Sequence, residues 1–302
     1  SFALSADVEI TLEANPETVD APYLAALRQI GFNRISFGAQ SAVPAELALL
    51  GRTHDFARVA RALETARAAG FDNSNLDLIY GLPGQDVASW ERSLRAVLAL
   101  RPEHLSLYCL TIEPGTPLQR QVLTGRIIPP DPDLAADQYE LACELLGAAG
   151  YGHYEISNWA LPGRRCEHNL TYWRNGSYPG LGAGAHGHVE GWRTRVVRQP
   201  RVYLRRIAEG GGSWPFSSAL AGRQRLSRED RIADTMITQL RLLEEGVNVA
   251  AFSAEFGLTP AAYFGDTLTQ LIDWELLEER GGRLRLTERG RFLSNQVFHR
   301  LV

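Results

Sequence analysis

Two hydrophobic periods alternate along the first half of the chain, and that alternation limits its fold more than any other feature. Residues 8–13 (VEITLE), 34–41 (RISFGAQS), 75–81 (NLDLIYG) and 104–112 (HLSLYCLTI) are short runs of strand length, rich in β-branched and aromatic residues. Between them, apolar residues recur three and four apart. Asp20 and Pro22 open a helix that Gly31 stops, and 54–70 carries Val59, Leu63 and Ala66 on one face. The segment 86–100 turns Trp90, Leu94, Val97 and Leu98 inward, 133–149 is a helix ended by Gly150, and 151–159 is predicted as a last strand. Strands alternating with amphipathic helices predict an α/β fold, a parallel sheet with right-handed crossovers.

A doubly wound sheet and a barrel share this alternation. Polar residues decide between them. Glu13, Gln40 and Asp77 lie in or at the C-terminal ends of otherwise apolar strands, where barrels place their chemistry. Four or five units are too few to close eight strands, so the expectation is a partial (β/α) barrel over residues 1–160.

Downstream, 161–215 is rich in Gly, Trp, Tyr and Arg with little periodicity, and Gly210–Ser213 is predicted as a linker. Residues 216–302 read as a mainly helical, winged-helix-like domain. Ser227 with Glu229 and Asp230 starts a helix buried through Ile232, Met236, Leu240 and Leu243. Short helices follow, over 248–256 and from Thr259-Pro260 with Tyr263, Leu268, Leu271 and Ile272 inward, then a hairpin around Gly281-Gly282. The sharp reading of such a domain is DNA binding. Residues 216–302 hold 11 Arg against 12 acids, interleaved, whereas a duplex binder needs a basic stripe. A lid or docking domain is the better expectation, and no nucleic-acid partner is expected.

The whole chain agrees: 31 basic residues, all Arg, stand against 35 acidic ones. No apolar run approaches a membrane span and no charged-then-apolar leader opens the chain, which predicts a cytoplasmic protein. Cys109, Cys143 and Cys166 are too scattered for a disulfide framework or a metal site.

A carboxylate or amide inside an apolar strand is unfavourable by a few kcal/mol (roughly, from transfer data) unless hydrogen-bonded. One such residue is usually a satisfied core group; several on successive strand ends point to a site. Glu13 stands in Leu-Glu-Ala-Asn-Pro, Gln40 in Ser-Phe-Gly-Ala-Gln-Ser, Asp77 in Asn-Leu-Asp-Leu-Ile-Tyr-Gly-Leu-Pro-Gly-Gln, and Arg52 in Leu-Gly-Arg-Thr-His. Two carboxylates, an amide and a guanidinium at one mouth suit a zwitterionic, ribose-bearing ligand. A second group is Glu167-His168-Asn169-Leu170-Thr171-Tyr172-Trp173 followed by Tyr178-Pro179-Gly180-Leu181-Gly182-Ala183-Gly184-Ala185-His186. Gly180, Gly182 and Ala185 formally fit a dinucleotide fingerprint, but no clear strand precedes them and position 205 is Arg, so that reading is rejected.

The first set of strings resembles the third to fifth barrel strands of radical S-adenosylmethionine proteins, in the oxygen-independent coproporphyrinogen III oxidase-like branch. The resemblance implies that Glu13, Gln40, Arg52 and Asp77 contact S-adenosylmethionine, with Thr111 a fifth contact on a looser match. The His-Asn-x-x-Tyr-Trp string resembles the HemW branch of haem chaperones. It implies His168 as the haem-iron ligand, with His186 and His188 nearby and Cys166 a softer alternative, against a flat aromatic and Gly-rich wall. Family members also carry Cys-x-x-x-Cys-x-x-Cys on the first strand, which holds a 4Fe-4S cluster. That motif does not occur here, so the resemblance places cluster binding on a segment upstream of Ser1 and no catalytic residue is assigned. The activity implied is haem delivery to haem-accepting proteins, membrane-protein clients among them, with a homodimer compatible. Coproporphyrinogen dehydrogenation is the rival reading, and a winged-helix DNA-binding protein the reading from another class.

Overall fold

The computed structural model describes residues 4–302, and the chain divides into two compact units, 1–166 and 167–302. The first unit begins with β1 (Thr11–Ala14), α1 (Ala21–Gln29), β2 (Arg34–Gln40), α2 (Pro44–Leu49), α3 (Phe56–Ala68) and β3 (Ser74–Tyr80). It continues through α4 (Val87–Leu100), β4 (His104–Cys109), α5 (Pro117–Leu123), α6 (Pro132–Ala148), β5 (Gly152–Glu155) and β6 (Asn158–Ala160). Aspartates start the long helices: the side chains of Asp20, Asp55, Asp86 and Asp131 each accept a backbone N–H of the first turn.

The six strands run in the order β1-β2-β3-β4-β6-β5, with β1 to β4 parallel. Along the four parallel strands this order never reverses. With right-handed crossovers, steady progress in one direction puts every helix on the same face, whereas a doubly wound sheet needs a switch point. The core agrees, since Ile35, Phe37, Leu76, Leu78, Leu105 and Leu107 pack with Leu24, Leu63, Trp90, Leu94 and Leu146 of the helices. Each such fully buried aliphatic side chain contributes about 1.5–3 kcal/mol. The opposite face is polar, and this is the barrel-type fold expected from the alternation.

The last strand differs from expectation. Residues 151–159 do not form one strand but a hairpin, β5–β6, whose second arm pairs antiparallel with β4. The Glu155 carboxylate closes its turn by accepting the Ser157 N–H at 3.0 Å and the Asn158 amide at 2.6 Å. The first and fourth strands are also shorter than the runs suggested, starting at Thr11 and ending at Cys109.

The second unit opens with α7 (Glu167–Trp173), β7 (His186–Val189), β8 (Trp192–Val196) and α8 (Pro200–Glu209). Then come β9 (Gly212–Ser213), β10 (Phe216–Ser217), β11 (Leu220–Arg225) and α9 (Arg228–Leu240), capped by a reciprocal Ser227–Asp230 box. Gly210–Ser213 is not a linker: Gly212 and Ser213 pair with Ser217 and Phe216 in a tight hairpin. β12 (Val247–Asn248), α10 (Val249–Phe256), α11 (Pro260–Phe264), α12 (Asp266–Asp273), β13 (Leu277–Arg280) and β14 (Arg283–Leu286) give the winged-helix order, and α13 (Glu288–Phe292) and α14 (Ser294–His299) end the chain. Ile232, Met236, Leu240, Leu268 and Leu271 are buried, but Leu243 is only half-buried and Tyr263 and Ile272 are exposed. Gly265 breaks the predicted helix in two between α11 and α12, which shifts the inward stripe.

Candidate functional site

Strand register sets the first site. Glu13, Ser36, Asn75 and His104 lie side by side across β1 to β4, and Gly38, Asp77 and Ser106 form the next row. Side chains alternate along a strand, so both rows face away from the helices. A parallel sheet with a polar face must satisfy it internally or reserve it for a ligand.

Much of it is satisfied by one directed network. The Asn75 amide nitrogen donates to Ser36 Oγ at 2.8 Å and to Asp77 Oδ1 at 2.7 Å, and Ser36 donates to Asp77 Oδ2 at 2.9 Å. Asn75 Oδ1 must therefore accept, and His104 Nδ1, 2.6 Å away, carries the proton. His104 is fully buried, and burial with the charge of Arg34 holds its pKa well below the usual imidazole range. Its Nε2 thus accepts from the Tyr154 hydroxyl at 2.7 Å.

Asp77 ends this network. Burial raises its pKa, hydrogen bonds from Ser36, Asn75 and Ser106 partly oppose that, and the charge of Glu13 raises it further. Such a carboxyl gains from a ligand ammonium or hydroxyl.

Gln40 reaches the same place by strain. Its φ is 63°, and Ser41 N–H closes on Ala39 C=O at 2.8 Å, so Gln40 is the centre of a tight three-residue turn where β2 shifts register. A Cβ on Gly38 would lie 2.6 Å from Gln40 Nε2, so the amide rests over Gly38, the register partner of Asp77. Arg52 follows α2 and donates to Asn15 Oδ1 at 3.1 Å, beside the end of β1. The fold therefore gathers Glu13, Gln40 and Asp77 on one face, with Arg52 on the adjoining loop. Thr111 is exposed, two residues past β4.

Two features escaped the sequence reading. Tyr108, on the same face of β4 as Ser106, is 43% exposed, yet partial desolvation and then the charge of Asp77 push its pKa up to about 12, with a Ser106 hydrogen bond opposing and Glu155 and Glu13 adding to it. A tyrosine two positions from a polar strand residue was the available signal. Glu46 is the second. It is buried, and its carboxylate accepts from Ser41 at 2.5 Å, Gln85 at 3.0 Å and Ser89 at 2.7 Å, tying the turn after Gln40 to α4. Nothing in a Pro-Ala-Glu-Leu helix start announces burial.

In the second unit, exposed His168 on α7 meets Tyr172 edge-on at 4.7 Å, Tyr172 meets Tyr178 at 4.3 Å, and Tyr178 lies 6.2 Å from His188. The rings form a continuous aromatic run. Cys166 is buried in the first unit, its Sγ 3.6 Å from Glu9.

Residues 2–97 match the Radical SAM superfamily and residues 226–293 the HemN C-terminal domain. The structure resembles the coproporphyrinogen III oxidase HemN of Escherichia coli, with a TM-score of 0.80 at 24% identity over 98% of this chain and 70% of that one. The fold is that of a radical S-adenosylmethionine protein. The chain is 38% identical to the heme chaperone HemW of Mycobacterium tuberculosis over all of its length and 73% of that protein. It is 37% identical to that of Bacillus subtilis (96% and 75%) and 38% to that of E. coli (97% and 75%). It belongs to the HemW family.

That superfamily implies S-adenosylmethionine and a 4Fe-4S cluster. The donor set on the polar face suits the former. For the cluster, Cys109 ends β4, Cys143 sits on α6 and Cys166 follows β6, and no group of three or more His, Cys, Asp or Glu among the described residues could hold a metal ion. These residues do not fit a cluster. No helix among the described residues is long and apolar enough to cross a membrane.

Proposed function

We propose that the chain binds haem and passes it to haem-accepting proteins, with S-adenosylmethionine held on the polar face of the first unit. The observation that carries the reading is the aromatic run from His168 to His188, in a chain 38% identical over its full length to a protein named a heme chaperone. His168 offers an exposed imidazole to the iron, and Tyr172 and Tyr178 offer ring faces and edges to the porphyrin. Glu13 and Asp77 take ribose hydroxyls and the methionine ammonium, Gln40 orients the ligand, and Arg52 takes its carboxylate.

Two titrations test this. Haem added to the chain shifts the Soret band, and His168→Ala removes the shift; a wild type without any shift rejects haem binding. Isothermal titration with S-adenosylmethionine gives saturable binding that Asp77→Ala weakens at least about tenfold, the scale of one lost charge-assisted contact. Equal affinity in the variant rejects the assignment of that face.

A further inference from the structure

The exposed face of the β11–β8–β7 sheet carries a feature that neither site has used. His186 is paired in register with Arg195, and Arg195 in turn with Gly222. On the far side of His186, a Cβ on Gly180 would lie 2.4 Å from the His186 carbonyl oxygen, so Gly180 borders the same row. One row across the sheet thus holds an imidazole and a guanidinium between two residues with no side chain. At Gly222 a Cβ would come 3.9 Å from Arg195 Nη2, into the space the glycine leaves open. His186, Thr194, Arg195 and Gln224 help line a cavity of about 330 Å³ that no acidic side chain lines.

The charges there are not equivalent. Arg193 is paired with Asp234, and Arg223 stacks over the rings of Phe216 and Trp192 at 4.4 and 5.3 Å. Neither His186 nor Arg195 has a side-chain partner among the described residues, and both are exposed. Among the described residues Arg195 is the trough cation with neither an acidic partner nor a ring to stack on, and a guanidinium fork matches a planar carboxylate. The next row holds His188 beside Arg193, and His188 ends the aromatic run that starts at His168. An apolar, imidazole-bearing surface therefore adjoins a cationic one, which is the polarity of haem: a flat ring with two carboxylates on one edge.

We propose that the His186–Arg195 trough seats a carboxylate, and that the carboxylate is a propionate of the haem, an assignment that rests on the haem-binding reading above. Arg195 makes the charge-assisted pair and His186 adds a ring N–H. The two glycines admit the group to the sheet surface.

Titrating wild type, Arg195→Ala and Gly222→Val with hemin and with hemin dimethyl ester, whose carboxylates are capped, tests this. Arg195 is exposed and unpaired, so its variant keeps the wild-type melting temperature. Wild type binds hemin about tenfold more tightly than the ester, and Arg195→Ala loses that advantage for hemin while leaving the ester unchanged. Gly222→Val keeps the charge, fills the trough and lowers hemin affinity in the same way. If Arg195→Ala binds hemin as wild type does, weakens both ligands equally, or if wild type binds both equally, the trough is not the carboxylate seat. A wild type that shifts the Soret band of neither ligand overturns haem binding itself, and this assignment with it.

Discussion

Asp77 and His104 belong to one hydrogen-bonded network, yet they answer to pH in opposite windows. The folded-state pKa of Asp77 is raised above its ordinary 3.8, so the fold holds that proton more tightly than the unfolded chain does. Its contribution to stability is full below 3.8 and is lost as pH rises through the folded value. His104 is depressed below 6.5, so its contribution is full above 6.5 and is lost as pH falls through the folded value. Urea unfolding across pH 4 to 8 should therefore separate them. Asp77→Asn gains stability relative to wild type as pH rises, and His104→Gln flattens the acid-side slope by up to about 1.4 kcal/mol per pH unit. Parallel pH profiles for wild type and both variants would contradict these environments. Asp77 and Gln40 were legible because an apolar strand rarely tolerates them. His104, Asn75 and Ser36 were not singled out, because their polarity is answered by one another and only strand register brings them together.

At the scale of elements, α2 does more than connect. It is six residues long, and its buried Glu46 accepts three hydrogen bonds that fasten it to Ser89 of α4, to Gln85 in the loop before that helix and to Ser41. The strained Gln40 turn ends at Ser41, and Arg52 N–H closes on Leu47 C=O at 2.9 Å just past the helix. Glu46 thus acts as a positioning residue for both. Glu46→Ala leaves three donors without their acceptor and destabilises the fold by about 2–3 kcal/mol. It also weakens S-adenosylmethionine severalfold by titration, whereas Glu46→Gln, which keeps an acceptor, loses less of each. Unchanged affinity in a folded Glu46→Ala would separate α2 from the ligand face. The main helices were readable from Asp caps and apolar spacing. The β5–β6 turn was not, because Glu155, Ser157 and Asn158 build it without Gly or Pro, so 151–159 passes for a single run.

For the molecule as a whole, the two compact units divide the proposed chemistry between them. Glu13, Gln40, Arg52 and Asp77 lie in residues 1–166, and His168, Tyr172, Tyr178, His186, His188 and Arg195 in residues 167–302. The second unit has buried hydrophobics of its own in Ile232, Met236, Leu240, Val247, Leu271 and Leu284. Its β8–β11 pairing joins the Gly-rich stretch to the segment that leads into α9. Continuous pairing of this kind makes 167–302 a candidate for independent folding, since a unit with its own core needs no other. Expressed alone, residues 167–302 should melt cooperatively and shift the Soret band of haem with an affinity within about threefold of the full chain. That margin is under 1 kcal/mol on the usual scale. Residues 1–166 should give no such shift. A fragment 167–302 that folds but fails to bind haem would mean that the haem site draws on residues of the first unit, and a fragment that fails to fold would mean that its core is not sufficient by itself.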